Sequence, residues 1–168
     1  MLGKLDQKLF LKLYDYTAAN QMLSVTAALI TKLSSLFFSI SYFCLGSWLF
    51  YNNKGYLKFY LIIPAFVYLL AKIIPYIYNR KRPFVVFNKN SLVKQRKDHS
   101  FPSTHSASSM IISLVIFNIN LLLGFLMILM AVITGFSRIM VGVHYPTDVI
   151  AAWLIAAFIY IMGINILL

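Results

Sequence analysis

The chain has 168 residues, of which 61% are hydrophobic and only 11% charged, with a mean hydropathy of +0.80. A soluble domain is about half apolar and about a quarter charged, so a soluble enzyme is excluded and a single integral-membrane domain is indicated. Fifteen lysines and arginines stand against four aspartates and no glutamate, a formal net charge of +11. This excess points to a phosphorylated or anionic-headgroup partner. It excludes nucleic acid, because the cations lie between apolar segments and build no soluble module.

From Met1 to Asn20, Leu2, Leu5, Leu9, Leu13 and Tyr16 recur at helical spacing beside Phe10, with lysines between them. That pattern predicts an amphipathic helix lying in the membrane interface over residues 1–20, ahead of a transmembrane bundle over 22–168. The first span runs from about Met22 to Tyr51, and Lys32 snorkels at its edge. Cys44, the sole cysteine, lies in this apolar run and is read as a packed, inert thiol. Asn52 to Gly55 is a turn by composition. The second span, Leu57 to about Tyr78, contains Pro64 and Pro75, so a kink is expected. A polar, basic loop follows from Asn79 to Ser100. The third span runs from Pro102 to about Phe117, and Asn118 to Asn120 make a tight hairpin into the fourth, Leu121 to about Ile139. The fifth begins at Pro146 and ends at Leu168. The expected fold is therefore all-α: a polytopic bundle of about five transmembrane helices plus the interfacial one.

Counting crossings puts the ends of the spans near Arg82, Ser103, Arg138 and Asp148 on one membrane face, so three polar islands far apart in sequence converge. Each can serve phosphate chemistry. Proline is favoured at the first position of a helix, so Pro146 places Asp148 in a first turn, one turn from His144. There Asp148 can orient the His144 ring and leave the other nitrogen as a nucleophile, though read singly it is equally a capping residue. Pro102, Ser103 and Thr104 would open a helix N-terminus, an anion site, with His105 suited to protonate a leaving oxygen. Ser103, read singly, is equally a plain helix cap. Arg82 and Arg138 supply guanidinium forks for phosphate oxygens. This scheme requires neither metal nor other cofactor, and His99, beside Asp98, is read as a loop residue.

Arg82-Pro83, then Pro102-Ser103 with His105, then Ser137-Arg138 with His144 and Asp148, resemble the three-part signature of the type 2 phosphatidic acid phosphatase superfamily. The resemblance implies a metal-independent membrane lipid phosphatase working through a phosphohistidine. It makes His144 the nucleophile, Asp148 its orienting partner and His105 the general acid, with Arg82, Arg138 and the Ser103–Thr104 turn on the phosphate. A lysine usual seven residues before the first arginine is replaced by Pro75, and Lys72 is the candidate substitute. The run from Thr134 to Pro146 looks most like bacterial undecaprenyl-diphosphate phosphatases. Lipid A phosphatases and phosphatidylglycerophosphate phosphatases are close to it. The implied partner is a membrane lipid with a phosphate or diphosphate headgroup, with no obligatory protein partner. A non-catalytic phospholipid binder or transporter is the reading from another class; five spans without an inverted repeat argue against it. The face that carries the islands is also the basic one, which positive-inside logic would place in the cytoplasm. The resemblance implies the outer face of a bacterial cytoplasmic membrane, and that is the expectation adopted.

Overall fold

The computed structural model describes residues 2–167. Among them the helices are α1 (Leu2–Ala19), α2 (Gln21–Asn52), α3 (Lys54–Ile77), α4 (Pro83–Val86), α5 (Thr104–Ile119), α6 (Leu121–Met140) and α7 (Pro146–Leu167). Three of the joints are single asparagines. Asn20, Asn53 and Asn120 each accept a hydrogen bond from a backbone N–H in the first turn of the following helix. An asparagine satisfies a donor that the helix start would otherwise leave unpaired, so each chain reversal needs only one residue.

Helices α2, α3, α6 and α7 are long and apolar enough to cross a membrane. At 16 residues α5 is shorter, about 24 Å at 1.5 Å per residue, and it is the innermost element, packed against α2, α3, α6 and α7. The core forms around it: Ile111, Val115 and Ile116 meet Phe59, Tyr60 and Val67 of α3 and Ala152 and Ala156 of α7. Large apolar side chains such as Phe43, Leu122, Leu154 and Phe158 face outward. That arrangement suits a lipid surround and would be penalised in water. The protein is an integral membrane helix bundle.

Three sequence expectations change in detail. Cys44 is exposed on the outside of α2 rather than packed. The third span opens at Thr104, because Ser103 takes the cap position. Both prolines of the second span, Pro64 and Pro75, lie inside α3. The short α4 falls inside what reads as loop, its first residue being Pro83. In α1, the stripe Asp6, Phe10, Tyr14 and Thr17 is buried against the rest of the protein, while Leu5, Leu9 and Tyr16 face out.

Candidate active site

His144 sits in the short turn between α6 and α7, and its ring is buried. Nδ1 lies 2.7 Å from the Ser100 carbonyl oxygen, and Nε2 lies 3.2 Å from Arg82 Nη1. A carbonyl can only accept and a guanidinium can only donate. The two contacts therefore assign the proton to Nδ1 and the lone pair to Nε2. Ser100 is held by pairing of two loop segments: its N–H donates to the Arg80 carbonyl at 2.7 Å, and Lys81 and His99 form an antiparallel bridge.

Asp148 does not make the direct ring hydrogen bond expected of it. Its Oδ2 is 3.7 Å from His144 Nδ1, an ionic distance, and that oxygen instead accepts the Tyr145 N–H at 2.8 Å. The carboxylate thus closes the start of α7 as a capping box does and acts on the ring as a nearby charge. Its Oδ1 accepts from Arg80 Nη1 at 2.6 Å. Burial pushes the His144 pKa down to about 4, helped by Arg138 and Arg82 and opposed by Asp148. The ring is therefore neutral at physiological pH.

Arg82 donates through Nε to Asp98 at 2.7 Å and through Nη1 to the Val143 carbonyl at 3.1 Å. Arg138, in the last turn of α6, donates to Gln95 at 3.2 Å, while its buried Nε has no protein partner. An unpaired buried donor is costly, and an anion would satisfy this one. Both arginines, His105, His144, Thr104 and Lys72 line one cavity of about 800 Å³. Ser34, Ser35, Phe38 and Ser39 of α2 and Tyr68 and Ala71 of α3 line the same cavity. His105 is exposed to this space, and His99 sits on its wall with Nδ1 2.7 Å from Asn79.

Ser103 is placed differently from the expectation. It is fully buried and outside the cavity lining, its hydroxyl is 2.9 Å from that of Ser106, and its N–H donates to the Asp148 carbonyl at 3.1 Å. Its observed work is to cap α5 and tie that helix to α7. This leaves Thr104 and His105, the first two residues of the helix, with backbone N–H groups that lack intrahelical partners beside the cavity. Ser100 and Arg80 were not legible as site residues. A backbone carbonyl leaves no side-chain signature, and Arg80 reads as one cation among many in a basic loop.

The PAP2 superfamily model matches residues 55–167, about two thirds of the sequence. The chain belongs to the PAP2 superfamily. It is 27% identical over 159 residues to undecaprenyl-diphosphatase BcrC of Bacillus subtilis, covering 92% of this chain and 80% of that one. It is 36% identical over 111 residues to the bacitracin transport permease protein BcrC of Bacillus licheniformis, covering 64% of this chain and 55% of that one. Among solved structures, Aquifex aeolicus LpxE superposes with a TM-score of 0.77 at 26% identity, covering 94% of this chain and 93% of the other. Family membership and fold make this PAP2 protein a membrane phosphatase.

Proposed function

We propose that this PAP2 protein hydrolyses a lipid phosphate without a metal, through a phosphohistidine, and that its substrate is undecaprenyl diphosphate. The observation that carries this reading is the neutral His144 ring, tautomer fixed, with Nε2 directed at Arg82 in a cavity shared with Arg138 and His105. A phosphate oxygen is a charged acceptor and competes with the neutral nitrogen for Arg82 Nη1, so substrate binding frees the lone pair. Nε2 then attacks phosphorus and the bond to the lipid-side oxygen breaks, with His105 donating the proton to that oxygen. Asp148 stabilises the charge that appears on the ring. In the second step His105 takes a proton from water, whose oxygen displaces Nε2, releasing inorganic phosphate. Arg82, Arg138, Lys72 and the Thr104 turn hold the phosphoryl oxygens, and Ser103 supports that turn as its cap.

All four aspartates are paired with cations: Asp6 and Asp148 with Arg80, Asp98 with Arg82 and Asp15 with Lys89. Such committed carboxylates are poor candidates for holding a divalent ion, which supports the metal-free scheme. Between the α2 serines and Lys72, Phe38 with Tyr68, Ala71 and Pro75 offers a lipid tail apolar surface. Undecaprenyl diphosphate is favoured by the relative named for that activity across most of both chains; a lipid A phosphate and phosphatidylglycerophosphate are the alternatives. The permease name of the second relative raises transport without chemistry, a role that leaves the oriented His144 without purpose. In this reading the chain is one domain that needs no protein partner. It sits in a bacterial cytoplasmic membrane, with α1 along the interface and the site on the outer face.

Phosphate release by the purified protein in detergent with EDTA, on each of the three lipids, tests the proposal. Turnover is expected to survive chelation and to reach background in His144→Ala, while His105→Ala loses about 10²–10⁴-fold, the usual worth of a general acid. Activity abolished by EDTA, or retained in His144→Ala, rejects the mechanism.

A further inference from the structure

We propose that Asp6 of α1 is a positioning residue for the reaction, holding Asp148 and through it His144 by way of Arg80 and Thr147. Asp6 stands outside the three signature blocks and 142 positions before Asp148. Yet both carboxylates are buried and share one guanidinium, Arg80 donating to Asp6 through Nη2 and to Asp148 through Nη1. Asp6 Oδ1 accepts the Thr147 N–H at 3.0 Å, and Oδ2 accepts the Thr147 hydroxyl at 2.7 Å. That hydroxyl in turn accepts from Arg80 at 2.7 Å. Asp6 therefore supplies, from a distant helix, the cap that the Thr147 N–H in the first turn of α7 needs. The apolar side of the same grip is Phe10, edge-on to Tyr145 at 5.6 Å, with Arg80 over the Tyr145 ring at 3.9 Å.

The electrostatic consequence has a definite sign. With Asp6 present, the Arg80 charge is divided between two carboxylates; without it, the whole charge falls on Asp148 and weakens the field that Asp148 exerts on His144. The charged and titratable groups around His144 are Arg82 of the loop ahead of α4, Lys94, Arg96 and His99 of the loop after it, Arg138 of α6, His105 of α5, Lys72 of α3 and Asp148 of α7, with Arg80 behind Asp148. Asp98 lies against Arg82, and the α2 residues that line the cavity, Ser34, Ser35, Phe38 and Ser39, carry no charge. Removing one negative charge behind Arg80 makes this surround more positive and disfavours a protonated ring.

The test compares wild type, Asp6→Asn and Asp6→Glu as full chains in detergent. Steady-state phosphate release is measured on the lipid that wild type turns over, and the His144 ring is titrated by NMR with ¹⁵N-labelled histidine. Asparagine keeps an oxygen for the Thr147 N–H and removes the charge that meets Arg80. Asp6→Asn is expected to lower kcat by tenfold or more, with about a hundredfold as the scale for misplaced groups, while KM stays within about twofold. Its His144 midpoint and the acid limb of kcat/KM both move down, and Asp6→Glu recovers most of both. Unchanged kcat together with an unchanged ring midpoint in Asp6→Asn overturns the inference. If that variant aggregates, Thr147→Val removes only the hydroxyl link; a kcat loss at constant KM supports the proposal and wild-type kinetics overturns it. The inference rests on the phosphohistidine reading. A wild type inactive on every lipid would count against that reading, and the ring titration would still decide this one.

Discussion

A histidine serves as nucleophile only while its lone pair is free, and His144 is arranged to keep it so. Burial, together with Arg138 and Arg82, holds the ring pKa at about 4, against about 6.5 for an ordinary histidine. The kcat/KM profile reports groups of the free enzyme. Activity is therefore expected to persist as pH falls through 6 and to decline only as protonation of Nε2 begins near pH 4. An acid limb near 6.5 would mean that the ring is solvated and that the Ser100 and Arg82 contacts do not hold in solution. At this scale the signature side chains were legible because ionisable groups are rare in so apolar a chain. The partner of Nδ1 was not. The reading from spacing gave that bond to Asp148, whereas the structure gives it to a main-chain oxygen and leaves Asp148 at 3.7 Å.

Helix existence follows directly from apolar length, and the asparagine joints follow from capping chemistry. The separation of packed faces from lipid faces does not. In α1 both stripes contain large side chains, and the buried one carries Asp6, a residue that hydropathy alone would leave outside. Burial there is set by Arg80 and Thr147, which are distant in sequence. Close approach of helices is similarly invisible until the structure is known. A Cβ on Gly124 would lie 2.1 Å from Phe117 Cα, so α5 and α6 touch backbone to backbone next to the Asn120 joint. Backbone cannot turn aside as a side-chain tip can. Gly124→Ala is expected to cost at least the ~1–3 kcal/mol typical of overpacking. It should lower the temperature at which the detergent-solubilised protein stops eluting as a single species. Gly55→Ala is the control, since its Cβ would meet only Asn53 Oδ1 at 3.5 Å; an equal loss in both variants would refute the close-packed joint.

The whole molecule carries its cations asymmetrically, and their use determines what that asymmetry says about orientation. Lys54 and Lys58 lie at one end of the bundle, while Lys4, Lys8, Lys12, Arg80, Lys81, Arg82, Lys89, Lys94, Arg96, Lys97 and Arg138 lie at the end with the cavity. The positive-inside rule counts loop cations as topology signals. Here Arg80, Arg82 and Lys89 are ion-paired, and Arg82, Arg138, Lys94 and Arg96 line the cavity. Charges engaged with aspartates or awaiting a phosphate follow the demands of the site, so the rule loses much of its count, and Lys4, Lys8, Lys12, Lys81 and Lys97 remain against Lys54 and Lys58. That remainder still favours the cytoplasmic side, and the outer face is expected from the proposed substrate. Lys97 is exposed in the basic loop, so Lys97→Cys in a Cys44→Ser background offers a clean probe. A membrane-impermeant maleimide should label it in intact cells, and a cysteine at Lys58 only after lysis. The opposite pattern would put the cavity in the cytoplasm and restore the charge rule, and the substrate would then have to be a lipid phosphate presented on the inner leaflet.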